Sequence, residues 1–184
     1  MELARERPAV DRLSASLAGL QAGMVAVLWM LAWLGFSSAW RQSSFWTAEN
    51  LWATTFYGTA AIHRGFSSHT LSGLALYLLV YSTLGGLFAA ALHTGLPRLR
   101  LILIGILGAV CWYYISFHVI WPAVSPLVSL LHPEHPTLLG HVIYGAAVSQ
   151  FPRYLPGLPA PPVESSAVAA LAGSEPASNL PEPQ

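Results

Sequence analysis

Histidine is the side chain here with the widest chemistry on offer. The 184-residue chain carries seven of them. Neutral imidazole ligates zinc, copper or iron, and three or four converging rings are enough. Two rings on facing helices can instead hold a haem. His69, His118 and His141 are the candidate metal ligands. His118 closes one apolar segment and His141 opens the next, so antiparallel packing brings them to similar depth, and His69 opens an earlier segment as His141 does. His132 and His135 lie on the connection between, beside Glu134. A proline follows each of these two rings, which is not a recognised metal spacing. The plainer use of such rings is a hydrogen bond to a carbonyl or water, or a response to pH, since imidazole titrates near pH 6.5.

Other reaction chemistry is not assembled. Ser116 stands two residues before His118, and positions two apart on a helix do not face each other. Tyr114, four before His118, shares its face but more simply supplies a hydrogen bond. Ser72 is better spaced from His69, yet no carboxylate follows to orient either ring, and no Gly-x-Ser-x-Gly elbow or phosphate-cradling glycine loop is present. No catalytic or cofactor-binding residue is assigned, and a non-enzymatic protein is expected. Cys111 is alone, so no intrachain disulfide can form. The eight arginines are scattered and the net charge is zero, which gives no nucleic-acid surface.

The elements that must position the histidines follow from composition. Apolar residues make up 54% of the chain and charged residues only 9%, with mean hydropathy +0.54. Soluble domains carry about 25% charged residues, so the pattern predicts an all-α integral membrane protein. Four transmembrane helices are expected, at residues 14–36, 69–93, 101–121 and 137–151. The third sets the scale: its 21 uncharged residues reach about 30 Å, the thickness of a bilayer's hydrocarbon core. The fourth reaches only about 22 Å and must thin the bilayer, start earlier or lean on its neighbours. Residues 1–13 form a basic lead to a retained first span. The connection 37–68 is rich in aromatics, and Phe45, Trp52 and Phe56 fall at helical spacing. This predicts either a short helix on the membrane surface or a lid packed on the bundle. Residues 122–136 are proline-rich. The tail 154–184, with seven prolines from Leu155 onward, is expected to be disordered.

No Asp, Glu or Arg falls inside the four segments, which argues against a stand-alone proton-coupled transporter. Six arginines lie in the lead, the 94–100 link and the tail, against two in connection 37–68 and none in 122–136. That places both termini in the cytoplasm and six histidines toward the other side, with His63 among them and only His93 facing the cytoplasm. Every segment has small residues four apart: Gly19 and Gly23, then Ser82, Gly86 and Ala90, then Gly105 and Ala109, then Gly145 and Ser149. Such spacing favours close helix packing, and Gly108 adds to the third. His69-xxx-Gly73-x-Ala75 and His141-xxx-Gly145-x-Ala147 open the second and fourth segments alike, which suggests a two-plus-two tandem repeat within the four-helix bundle.

This order of features resembles the YagU type of small inner-membrane protein. The shared points are a glycine-bearing first helix (Gly19, Gly23) and a basic link (Arg98, Arg100) before a glycine-and-aromatic third helix (Gly105 to Trp121). A proline-rich connection and a last helix opening Gly140-His141-Val142 complete them. The resemblance spans residues 14–153 and implies a helical protein of the bacterial inner membrane, in a family loosely linked to acid-stress homeostasis. Connection 37–68 departs from the pattern. Together these readings predict an accessory or scaffold subunit, with the lipid bilayer as its setting and other membrane subunits or a second copy as partners. A histidine site for a metal ion or haem, or a passive channel or lipid-handling protein, are the alternatives.

Overall fold

A computed structural model describes residues 12–62, 65–92 and 96–155; the lead before residue 12, His63, His93 and the tail from 156 lie outside the described residues. The described chain is helical, with no strand: α1 (Arg12–Trp40), α2 (Thr47–Tyr57), α3 (Ser68–Ala91), α4 (Arg98–Ile115), α5 (Trp121–Val124), α6 (Pro126–Leu131) and α7 (Glu134–Val148). A π-helical turn, Ser116–Ile120, joins α4 to α5. Three stretches are long and apolar enough to cross a membrane: Arg12–Trp40, Ser68–Ala91 and Arg98–Val124.

The first and third of these run past the limits expected from sequence. Ser37, near the end of α1, turns its hydroxyl back onto the Leu34 carbonyl (2.9 Å), so a polar residue adds to the helix rather than ending it. Pro122 sits in the first turn of α5, where a missing N–H is tolerated. Likewise α7 begins at Glu134, within the proline-rich connection, because Pro136 falls in its first turn.

α1 packs on both α3 and α7, which also meet each other through side chains, and α4 packs on α7. Lipid tails are as apolar as leucine, so attraction between such helices rests on close backbone contact. Glycine supplies it here. A Cβ on Gly19 would run into the Gly85 carbonyl, and one on Gly23 would lie 2.9 Å from the Tyr81 carbonyl oxygen. The α1–α3 crossing is tightest through Gly85; its neighbour Gly86 faces the Leu20 side chain, 3.1 Å from where a Cβ would be. At the α4–α7 crossing, a Cβ on Gly105 or Gly145 would overlap the other's carbonyl oxygen. Ala109 is buried, one turn along from Gly105. Gly108 has nothing within 4 Å of an added Cβ and, among the described residues, does not meet another helix there.

α2 is a lid rather than a surface helix. Residues Glu49 through Thr54 are all buried, while Phe45 and Phe56 are exposed, so the expected stripe of Phe45, Trp52 and Phe56 does not share one face. Trp52 explains the difference: its ring stacks on Tyr77 of α3 at 3.7 Å and meets Trp121 edge-on at 4.7 Å. The backbones approach as closely as the rings, since a Cβ on Gly73 would collide with the Glu49 carbonyl. The two stretches of the expected tandem repeat therefore serve different neighbours, Gly73 meeting α2 and Gly145 meeting α4.

The described chain starts and ends at one end of the bundle, where Ala15 and Ala18 pack with Leu155. Toward the other end, the Trp33 indole donates to the Pro136 carbonyl at 2.9 Å, tying α1 to the start of α7. Trp33→Phe keeps most of the ring and removes the donor. The expected cost is about 1 kcal/mol, read as an earlier unfolding midpoint in a denaturant titration of the detergent-solubilised protein, with helix content unchanged.

Candidate functional site

The π turn shapes the site. By widening one turn it keeps Tyr113, Phe117 and Trp121 all buried, although strict α-geometry would rotate successive i+4 positions away. Opposite them, α3 contributes Tyr77 and Tyr81 from one face and α7 contributes His141 and Tyr144. Tyr81 meets Tyr144 edge-on at 4.9 Å, and Tyr77 stacks on Tyr81 at 5.8 Å.

His141 stands inside this aromatic cage, 1% exposed. Its ring lies 5.2 Å from Tyr113, 5.7 Å from Tyr81 and 6.1 Å from Phe117. Nδ1 donates to the Thr137 carbonyl one turn back at 2.7 Å, which fixes that nitrogen as the protonated one. Nε2 then accepts from the Tyr81 hydroxyl at 2.8 Å. The Tyr144 hydroxyl donates to the Tyr81 carbonyl at 2.6 Å, so α7 is bonded to α3 twice. Both ring nitrogens are engaged by a neutral imidazole, as a polar group in an apolar interior requires.

His132 lies on the other side of Phe117, stacked on it at 4.0 Å. Its Nδ1 donates to the Ser129 carbonyl at 2.7 Å and its Nε2 faces the Tyr113 hydroxyl at 3.4 Å. Burial holds this ring below the ordinary imidazole pKa. His118 is exposed, 6.4 Å from Tyr113, with its Nδ1 donating to the Tyr114 carbonyl at 3.2 Å. It lines a shallow cavity of about 230 Å³ with Glu134 and His135.

Of the three candidate ligands, His118 and His141 share Tyr113 as a neighbour. His69 is elsewhere, edge-on to Tyr57 at 4.4 Å and near the Ser67 hydroxyl. Among the described residues no group of three or more His, Cys, Asp or Glu is arranged to hold a metal ion. Where the imidazoles gather, tyrosine and backbone carbonyls are their partners.

Two groups of residues were not singled out from sequence. One is the set of tyrosines around His141, namely Tyr77, Tyr81, Tyr113 and Tyr144; Tyr77 and Tyr81 lie four apart and Tyr144 three after His141, a spacing that a face-by-face count of the apolar segments would have exposed. The other is Glu49, the lone acid in a short aromatic helix. It is 2% exposed, and its Oε2 has no hydrogen-bond partner.

The fold and site define an all-helical protein, with three helices able to cross a membrane and a histidine enclosed by aromatic rings. Compared with protein families, curated proteins and solved structures, the chain matches none.

Proposed function

We propose that this chain is a non-enzymatic membrane protein that serves as an accessory or scaffold subunit, joined in the bilayer by a partner subunit or a second copy. The observation that carries this reading is the packing of α4. Among the long helices α4 packs on α7, and only 28% of the apolar part of the Arg98–Val124 stretch it begins is buried, against 33% for α3 and 50% for α1. Leu103, Leu107, Tyr114 and Ile115 are exposed along it. A cleft of about 300 Å³ runs between α3 and α4, lined by Leu84, Phe88, Gly105, Gly108 and Trp112 among others. A helix with one neighbour and an open glycine is suited to receive another helix.

The reading includes four crossings, with α7 as the fourth. Two contacts support it: α7 and the 3-10 turn after it (Phe151–Tyr154) run antiparallel to α1 from the Trp33–Pro136 bond to the Ala15–Leu155 packing. That stretch of α1 is about 27 Å long, close to a hydrocarbon core. With the arginine distribution, both termini fall in the cytoplasm of a bacterium and the α2 lid on the far side of the inner membrane.

Cys111 provides the test, being exposed on α4 and the chain's single cysteine. Bismaleimide treatment of membranes is expected to give a crosslinked species that disappears in Cys111→Ser. Monomeric elution in mild detergent together with no Cys111-dependent adduct would remove the proposal.

A further inference from the structure

We propose that Glu49 is a buried proton-binding site that holds the α2 lid on α3: the lid stays seated while the carboxyl carries its proton and loosens when the proton leaves. Three observations converge on it. Glu49 is 2% exposed and its Oε2 lies buried without a partner. Its backbone carbonyl forms the tightest part of the seam, against Gly73. Beside it, one residue along, Asn50 lines an open cavity of about 480 Å³ with Thr47 and Leu51 of α2 and with Gln42, Ser44 and Gly65, so open space reaches the first turn of α2.

Nothing among the described residues balances a charge at this position. The titratable groups on α2 and on the elements packed against it are few. Tyr57 closes α2 itself. α3 brings His69, Tyr77 and Tyr81, α1 has Arg12 in its first turn, and Arg41 and His132 lie just past the ends of α1 and α6. Arg41 gives its Nε to the Ser37 carbonyl, and His69 sits on Tyr57. A carboxylate here would be desolvated beside Trp52, the floor of the lid, with a backbone hydrogen bond but no cation among the described residues to compensate. A protonated carboxyl avoids that cost. Burial accordingly raises the Glu49 pKa to about 7.

The sign of the effect follows. The folded pKa lies above the unfolded value of 4.5, so the stability this group contributes is fully present below pH 4.5. It is lost as pH rises toward about 7 and changes little beyond. Acid seats the lid and mild alkali frees it.

The full chain in detergent micelles, treated with the apolar reagent dicyclohexylcarbodiimide, gives the direct test. This reagent adds to protonated carboxyls, so mass spectrometry should find Glu49 modified at pH 5.5, half as reactive near pH 7, and about tenfold less by pH 8. Glu49→Gln should lose the label. In parallel, the melting temperature of the unmodified protein should fall by roughly 5 °C or more between pH 5 and 8, and the Glu49→Gln melting temperature should stay flat. If Glu49→Gln does not fold, the labelling profile of the native chain still decides. No label at Glu49 at pH 5.5, a labelling midpoint below pH 5, or a melting temperature independent of pH in the native chain would each overturn the proposal.

Discussion

Gly145→Leu should break the bundle between α4 and α7. The glycine faces Gly105 backbone to backbone, and even a single methyl at either position would overlap the opposite carbonyl oxygen. Neither side can yield by rotating a side chain, because the obstacle is main chain on both helices. Gly145→Ala is therefore expected at the upper end of the usual overpacking cost, about 3 kcal/mol. The leucine variant must push the axes apart and surrender the contacts of Ala109 and Val148 as well. Gly108→Ala, on the facing helix α4, is the control: with nothing within 4 Å of the new methyl, its unfolding midpoint should be no lower than that of the unmodified chain. Denaturant titrations of the three variants in one detergent measure this. A Gly145→Leu protein as stable as the Gly108→Ala control would mean that α4 and α7 do not meet as described.

His141→Leu is expected to be the most damaging of the histidine replacements. It removes the acceptor for the Tyr81 hydroxyl at 2.8 Å and leaves that hydroxyl buried without a partner, at about 2–3 kcal/mol with the accompanying repacking. Tyr81→Phe should cost less, about 1–2 kcal/mol, since the orphan is then a single ring nitrogen. The double variant should cost less than the sum of the two, with a coupling near 1 kcal/mol. His118→Ala and His69→Ala should cost little, because both rings are at least partly exposed, His118 bonding within its own helix and His69 resting on Tyr57 at the end of α2. That ranking separates two uses of imidazole. A shared metal ion would make the loss of His69, His118 or His141 comparably harmful and would lower metal content in each, whereas a hydrogen-bond brace singles out His141.

Helix class and the small-residue contacts were legible in the sequence because both follow from local rules. An uncharged run of about twenty residues has few other uses, and Gly19, Gly23, Gly105 and Gly145 lie at the spacing that closely packed helices need. The exact partner of Gly19 was less accessible. Gly85 and Gly86 are adjacent, and only the rotation of α3 about its axis decides which of them points at α1. The placement of α2 was undetermined for a similar reason: Phe45, Trp52 and Phe56 do fall at helical spacing, but the stripe is overruled by a single stacking partner, Tyr77, contributed by another helix. His141 was found by residue type, whereas its cage was not, since Tyr81, Tyr113 and Tyr144 come from three different helices. Glu49 escaped notice because a lone acid in a connecting segment ordinarily faces water, and nothing in the neighbouring letters announces that this one does not.

The spatial order of the long helices bears on how the chain is made. α7 lies between α1 and α4, yet it is synthesised after both. Until α7 is made, α1 and α3 can already have joined, but α4 lacks the helix it packs on. The fifteen-residue α7 then packs between them and unites the two pieces. A chain shortened before that point keeps the α1–α3 pair but leaves α4 unattached to it.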